Sequence, residues 1–192
     1  DWCFSKSPIG DNDARKKREL QEAMDLKKAM EANLMEMQLY AKQMEVFAAQ
    51  MEHVDHQIGR VVETLKRIGE YDNTLIMVTA DNGASGEGGL AGTFNETYVL
   101  NGMQTPFDAN MRNYDNWGQA DSYPHYHAGW AMAGNTPFQY FKQSEHRGGQ
   151  QDALVISWPN GIKAKGEIRS QYHHISDIAP TIMEAVGIER PD

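Results

Sequence analysis

Between Asp13 and Ile68 the chain carries a single glycine, Gly59, and no proline. Ala, Leu, Met, Glu, Lys and Gln dominate this stretch, and all are strong helix formers. Any fold must therefore accommodate a great deal of helix before the first strong breaker. In the second half, Met44, Phe47, Ala48, Met51, Val54, Ile58, Val61, Val62 and Leu65 recur at steps of three and four. That spacing describes an amphipathic helix with one face on a core. The first half is looser, with Leu20, Met24, Met30, Leu34, Met37 and Ala41. One unbroken helix would run roughly 80 Å at 1.5 Å per residue. That is too long for a compact domain of 192 residues. Two helices with a break near residues 28–40 are therefore expected. A first half that projects or forms a coiled coil is the alternative. The methionine stripe reads as packing rather than as a cofactor box.

Gly69 is placed to close the helix in a left-handed C-cap. A short turn, residues 70–73, leads to Thr74-Leu-Ile-Met-Val-Thr-Ala80. Seven β-branched and apolar residues read as a strand buried on both faces. At Asp81-Asn82-Gly83 the polarity flips in one step. In open α/β sheets, ligands gather outside the carboxyl ends of strands. An Asp and an Asn there offer hard oxygens to Ca²⁺ or Mg²⁺. The same tripeptide is also good turn chemistry, and on these residues alone a plain turn stands ahead of a metal site.

Residues 83–135 form a long polar region that opens with Gly83, Gly86, Gly88, Gly89 and Gly92. It lacks the Gly-Lys-Ser/Thr ending of a phosphate-binding loop. Aromatics and amides follow without a clear period. A loop of this length is usually functional. His125 and His127 have a spacing that could serve a metal, but two unrelated loop histidines are the simpler reading. A second strand is expected over Ala153–Trp158, stopped by Pro159-Asn-Gly161. A last helix is expected to run to about Ala185, capped by Ser176 or Asp177 and closed by Gly187. Helix, turn and strand in this order indicate α/β architecture.

The net charge of −9 argues against nucleic acid as a partner, since Arg15-Lys16-Lys17-Arg18 is the one basic block. Residues 1–12 read as irregular. Cys3, the single cysteine, excludes an internal disulfide framework, and its place between Trp2 and Phe4 suits packing rather than nucleophilic work. No apolar run approaches the ~20 residues of a membrane span.

Several segments together resemble the sulfatases of the alkaline-phosphatase-like superfamily, in particular the bacterial arylsulfatase branch. They are Val54-Asp55-x-x-Ile58-Gly59-Arg60, Asp72-Asn73-Thr74-Leu75-Ile76 and Asp81-Asn82-Gly83. Further on come Asn135-Thr-Pro-Phe-Gln-x-x-Lys142, His146-x-Gly-Gly149, Trp158-Pro-x-Gly-Ile162 and Asp177-Ile-Ala-Pro-Thr181. The likeness covers roughly residues 44–191. It implies a partial alkaline-phosphatase-like sandwich, α/β with a mostly parallel sheet flanked by helices, preceded by a long helical segment. Residues 1–192 would then be a single, incomplete sulfatase-like domain, with residues 1–43 left unassigned.

The resemblance also implies roles. Asp81 and Asn82 match two metal ligands, usually for Ca²⁺, with Mg²⁺ the less favoured ion. Lys142 matches the lysine that contacts the sulfate ester. His146 matches a histidine of the site wall, with loop packing an equal reading. His173 or His174 matches a histidine better read as structural. The implied substrate is a small-molecule or glycan sulfate ester. Family members are often periplasmic, secreted or lysosomal. One departure is large. The family's nucleophile is a formylglycine made from Cys or Ser in a Cys/Ser-x-Pro-x-Arg segment, and no segment here matches it. The paired aspartates that complete the metal shell are likewise unmatched. The chain is therefore expected to be the carboxyl-side portion of a sulfatase domain, inactive alone. Two other readings stand beside it: a phosphoesterase of the same superfamily, and a non-catalytic remnant or helical oligomerisation module.

Overall fold

The computed structural model describes residues 12–189. The expectations for the irregular start and for Cys3 lie outside the described residues. The first element, α1, is one helix over Asn12–Ile68. This corrects the expected break near residues 28–40. The size argument assumed that the whole helix must pack, and it does not. Every residue from 15 to 38 is exposed. This half is held by propensity and by pairs along its own surface, such as Arg15 with Glu19 and Gln21 with Asp25. Such pairs contribute a few tenths of a kcal/mol each, about 0.2–0.5. The helix ends in a Schellman motif: Gly69 has φ +78°, its N–H reaches the Lys66 carbonyl, and the Glu70 N–H reaches Leu65.

Packing begins at Leu39, which is fully buried. Gln43, one turn on, is 2 % exposed. Its Nε2 donates to the Ala91 carbonyl at 2.8 Å, and its Oε1 accepts from the His127 N–H at 2.9 Å. Around it, the Trp130 indole N–H donates to the Tyr40 carbonyl, the Tyr40 and His127 rings lie 4.2 Å apart, and Phe47 meets Tyr126 edge-on. Gly92 has φ +70°, and a Cβ there would come within 2.5 Å of the Gln43 amide. Backbone conformation and close approach both call for glycine at that position.

The polar region after the first strand is built from short helices: α2 (Thr97–Leu100), α3 (Phe107–Arg112) and α4 (Ala128–Gly134). Buried amides knit them together. Asn110 is fully buried; it accepts from the Phe94 N–H and donates to the Gly92 and Ala91 carbonyls. Thr93 and Thr105 share a buried 2.6 Å hydrogen bond, and Thr93 exchanges two backbone bonds with His125. A segment with so little regular pairing satisfies part of its backbone through side chains, and its many asparagines serve this.

Two strands are described, β1 (Ile76–Thr79) and β2 (Leu154–Ser157), with the turn α5 (Arg147–Gln150) leading into the second. They pair antiparallel, Ile76 opposite Ser157 and Thr79 opposite Leu154. The mostly parallel sheet expected from the resemblance is not what these strands form. The Gly83 N–H bonds the Gly149 carbonyl at 3.3 Å, so β2 starts beside the end of β1 and must run back along it. Burial of β1 on both faces is also corrected: Val78, Thr79, Val155 and Ile156 are exposed, because no third strand or covering helix is described. The last helix, α6 (Ile178–Val186), follows a 3₁₀ turn over Ile175–Asp177. Asp177, one of the two expected residues, is the N-cap of α6, but its side chain makes no bond to that helix; it bonds back to His174, which caps the 3₁₀ turn in a reciprocal capping box. Gly187, φ +71°, closes α6 as expected.

Replacing Gln43 with Ala leaves the part-buried His127 N–H without its acceptor, while the Ala91 carbonyl keeps the Asn110 amide. The expected loss is about 1–3 kcal/mol in urea unfolding, the cost of one orphaned group. Lys28→Ala, on the exposed half of the same helix, is expected to change stability by under about 0.5 kcal/mol.

Candidate functional site

Three segments converge at the carboxyl end of β1. The first is the strand exit, Asp81-Asn82-Gly83. A Cβ on Gly83 would overlap the Gly148 carbonyl oxygen, so glycine permits the backbone contact that brings residues 146–149 against the strand end. The second is the segment around Asn135. Its Oδ1 accepts from the Ala84 N–H, and its Nδ2 donates to the Tyr140 and Gly148 carbonyls. One amide thus ties the strand exit to the third segment, Tyr140–Gly149. Within it, the Lys142 N–H bonds the Ala84 carbonyl at 2.9 Å. Lys142 is flanked by two residues with left-handed backbone, Tyr140 at φ +62° and Gln143 at φ +71°. Non-glycine residues in that region carry strain of order 1–3 kcal/mol each, and such residues cluster at functional sites.

Asp81 is exposed and Asn82 is half-buried. The Asn82 Nδ2 donates to its neighbour's carbonyl, Gly83, at 3.0 Å. Among the described residues no hydrogen bond takes up the Asn82 Oδ1 or the Asp81 carboxylate, so both hard oxygens are free for a cation. They are two of the six to eight oxygens that Ca²⁺ takes. No group of three His, Cys, Asp or Glu that could hold a metal exists among the described residues. The donor chemistry fits Ca²⁺, and the donor number covers part of its shell. Asp152, at the foot of β2, faces the same place: burial, and then the negative charge of Asp81, raise its carboxyl above the ordinary value.

Lys142 is not free. Its Nζ donates to Glu87 Oε2 at 2.9 Å. The same carboxylate accepts from Ser85 Oγ and from Gln143 Nε2, both at 2.9 Å. Ser85 Oγ in turn lies 2.9 Å from His125 Nε2. The hydrogen bonds from Lys142, first, and Ser85, second, hold Glu87 below its ordinary 4.5. The Glu87 hydrogen bond raises Lys142, and the more distant charges of Asp81 and Glu96 push the same way. Beside this network lies a cleft of about 910 Å³. Asn82, Ser85, His125 and Asp152 line it together with the aromatic rings of Phe47 and Tyr126.

The structure thus brings Asp81, Asn82 and Lys142 to one end of the strand. It places His146 differently. That ring is exposed and stacks on Tyr140 at 4.4 Å, and its backbone N–H bonds Ser144 Oγ. No contact among the described residues links it to Lys142 or Asp81. The two loop histidines part company. His127 packs against Tyr40 and Trp130, where burial pushes its pKa down. His125 joins the lysine network. Residue-by-residue reading named His125 only as a loop histidine and missed Ser85 and Glu87. One signal was available: Glu87 is the lone charged residue between Gly83 and Gly92.

With fold and site in place, kinship can be stated. Residues 4–188 match the sulfatase family, and the chain belongs to it. It is 36% identical over 168 residues to an arylsulfatase of Klebsiella aerogenes, which covers 86% of this chain and 34% of that protein. It is 32% identical over 138 residues to an uncharacterized sulfatase of Schizosaccharomyces pombe, covering 72% of this chain and 24% of the relative. The chain therefore spans about a third or less of the length of these relatives. Among the described residues no helix is long and apolar enough to cross a membrane.

The carboxylate network makes an acid-side prediction. Glu87 has a lowered pKa, so its stabilising contribution is complete above about 4.5 and is lost as pH falls through the folded value. Lowered His127 adds a loss that begins below its ordinary 6.5. Glu87→Gln is expected to unfold with a shallower dependence on pH between 5 and 3 than wild type, while His127 leaves both proteins the same slope between 6.5 and 5. Urea midpoints across that range measure it.

Proposed function

We propose that this chain is part of a sulfuric ester hydrolase and carries one side of the sulfate and cation site. The observation that carries the reading is the meeting of Asp81, Asn82 and Lys142 at the end of β1. A sulfate ester gains negative charge on its leaving and non-bridging oxygens as the S–O bond breaks. An ammonium and a cation aimed at those oxygens stabilise that charge. In this reading Lys142 Nζ holds an ester oxygen. Asp81 and Asn82 would hold Ca²⁺, which supplies Lewis-acid stabilisation when bound. The Phe47–Tyr126 wall of the cleft gives an apolar surface to the organic part of the ester. His146 supports the Tyr140 turn and touches no ester oxygen. The formylglycine segment has no counterpart in the sequence, so the chain by itself supplies binding groups and no nucleophile.

The chain is expected to bind an aryl sulfate in the presence of Ca²⁺ without turning it over, and Lys142→Ala is expected to weaken that binding about tenfold or more. Calorimetry measures binding, and release of the phenol measures turnover. Equal binding by Lys142→Ala, or Ca²⁺-dependent turnover that Lys142→Ala abolishes, would sink this division of roles.

One observation favours a second, oligomeric reading for α1. Leu20, Met30, Leu34 and Met37 are exposed on a helix that stands clear of the body. Starting at Leu20, steps of three and four lead through Met30, Leu34, Met37, Ala41, Met44, Ala48 and Met51, interrupted by Lys27 and, further on, Asp55. This is the spacing of a coiled-coil seam. A second copy has the matching seam, and an antiparallel pairing sets each Lys27 near the partner's Asp55, whereas a parallel one opposes like charges. Sedimentation should give a dimer that Leu34→Lys dissociates; a monomer at all concentrations removes this reading.

A further inference from the structure

We propose that His125 is a positioning residue for Lys142, acting through Ser85 and Glu87. The inference rests on the reading of Lys142 as the group that meets the sulfate ester. A lysine ammonium sits on a flexible four-carbon stem, so its aim must come from its surroundings. Here the surroundings form an ordered chain of donors and acceptors. Glu87 is held at both oxygens, Oε1 by Gln143 and Oε2 by Ser85 and Lys142. An ionised carboxylate only accepts, so the single hydroxyl hydrogen of Ser85 is committed to it. Ser85 Oγ must then receive its bond from His125, and the His125 proton lies on Nε2 in both charge states of the ring. The other nitrogen, Nδ1, lies 3.1 Å from the Gly88 N–H and 2.9 Å from the Tyr126 carbonyl. It accepts from Gly88 when the ring is neutral and donates to Tyr126 when the ring is charged.

The ring itself is set by backbone. Residue 125 exchanges two 2.8 Å hydrogen bonds with fully buried Thr93. A Cβ on Gly88 would press on both the ring and the Tyr126 carbonyl, so the approach of residue 88 is part of the fit. The direction of the relay is thus from buried backbone, through imidazole and hydroxyl at the cleft wall, to carboxylate and a part-exposed ammonium beside it. Glu87 leaves two of the three ammonium hydrogens for a ligand. The carboxylate restrains where those hydrogens point, and Asp81 and Glu96 are the other charges that act on the ammonium. Loop packing alone would leave the charge state of Lys142 indifferent to His125.

The test uses the full chain with isotope-labelled lysine side chains, following the titration of Lys142 by NMR and its affinity for 4-nitrophenyl sulfate by calorimetry. Wild-type Lys142 should titrate above the ordinary 10.5. Glu87→Gln should return it toward that value. His125→Phe should move it part of the way in the same direction and weaken the aryl sulfate about three- to tenfold, the scale of one lost hydrogen bond. His125→Gln, whose amide can still donate to Ser85, should restore both. Ser85→Ala removes the middle link with little change in volume, and it should behave as His125→Phe does even where the latter folds poorly. An unchanged Lys142 titration in folded His125→Phe or Ser85→Ala overturns the relay. Failure of the underlying reading looks different: Lys142→Ala then binds the aryl sulfate as wild type does, whatever the titrations give.

Discussion

The Gln43 carboxamide is the point on which the body of this protein hangs. α1 is long, mostly exposed and apolar on several sides, so apolar contact alone could place the polar region at many positions along it. A buried amide removes that freedom. It has one donor direction and one acceptor direction to satisfy, toward Ala91 and His127, and a slide of one turn would leave both unmet. An unmet buried polar group costs more than a made one contributes. Register is therefore set by the penalty for misplacement rather than by the strength of the bonds. Tyr40, Phe47 and Trp130 close around that fixed point.

The same logic repeats outward. Asn110 organises the segment between Ala91 and Trp117, and Asn135 joins the strand exit to the lysine turn. These amides take the place that a larger sheet would hold in fixing backbone. They also explain how a region with few strands lines up a lysine, a carboxylate, a hydroxyl and an imidazole in one chain of hydrogen bonds. Lys142 stands between two left-handed residues, a backbone that persists because Gly148 and Asn135 hold the turn from both sides. The electrostatic character of the site follows from that geometry. Negative charge from Asp81, Glu87 and Asp152 gathers where a cation and an ammonium would work together.

Much of the outline was legible in the residues. The helix stop at Gly69, the strand ending at Asp81, the strand after Ala153 and the final cap at Gly187 all rest on local chemistry, where a glycine or an alternation acts within a few residues. Family membership was legible in the order of short motifs from Val54 to Thr181, and residues 4–188 match that family. Three things were not legible. The continuity of α1 was missed because a packing argument was applied to a half that does not pack. Strand direction was missed because it depends on where Gly149 meets Gly83, a contact between residues far apart in sequence. The relay was missed because Ser85 and Glu87 carry no spacing signature, and the one spacing that His125 has, to His127, is not the contact that it makes.

By itself, then, the sequence determined that the chain opens in helix, where the two strands and the last helix lie, which family the chain belongs to, and which residues could offer oxygens or an ammonium. Those properties are local, or are carried by motifs in linear order. Only the tertiary structure decided that β1 and β2 run antiparallel, that His125 rather than His127 or His146 joins the hydrogen-bond chain of the lysine through Ser85 and Glu87, and that Lys142 bonds Glu87. The physical reason is common to all three. Each depends on a hydrogen bond or a backbone contact between segments tens of residues apart, and the partners of a buried polar group are chosen by the fold that surrounds it.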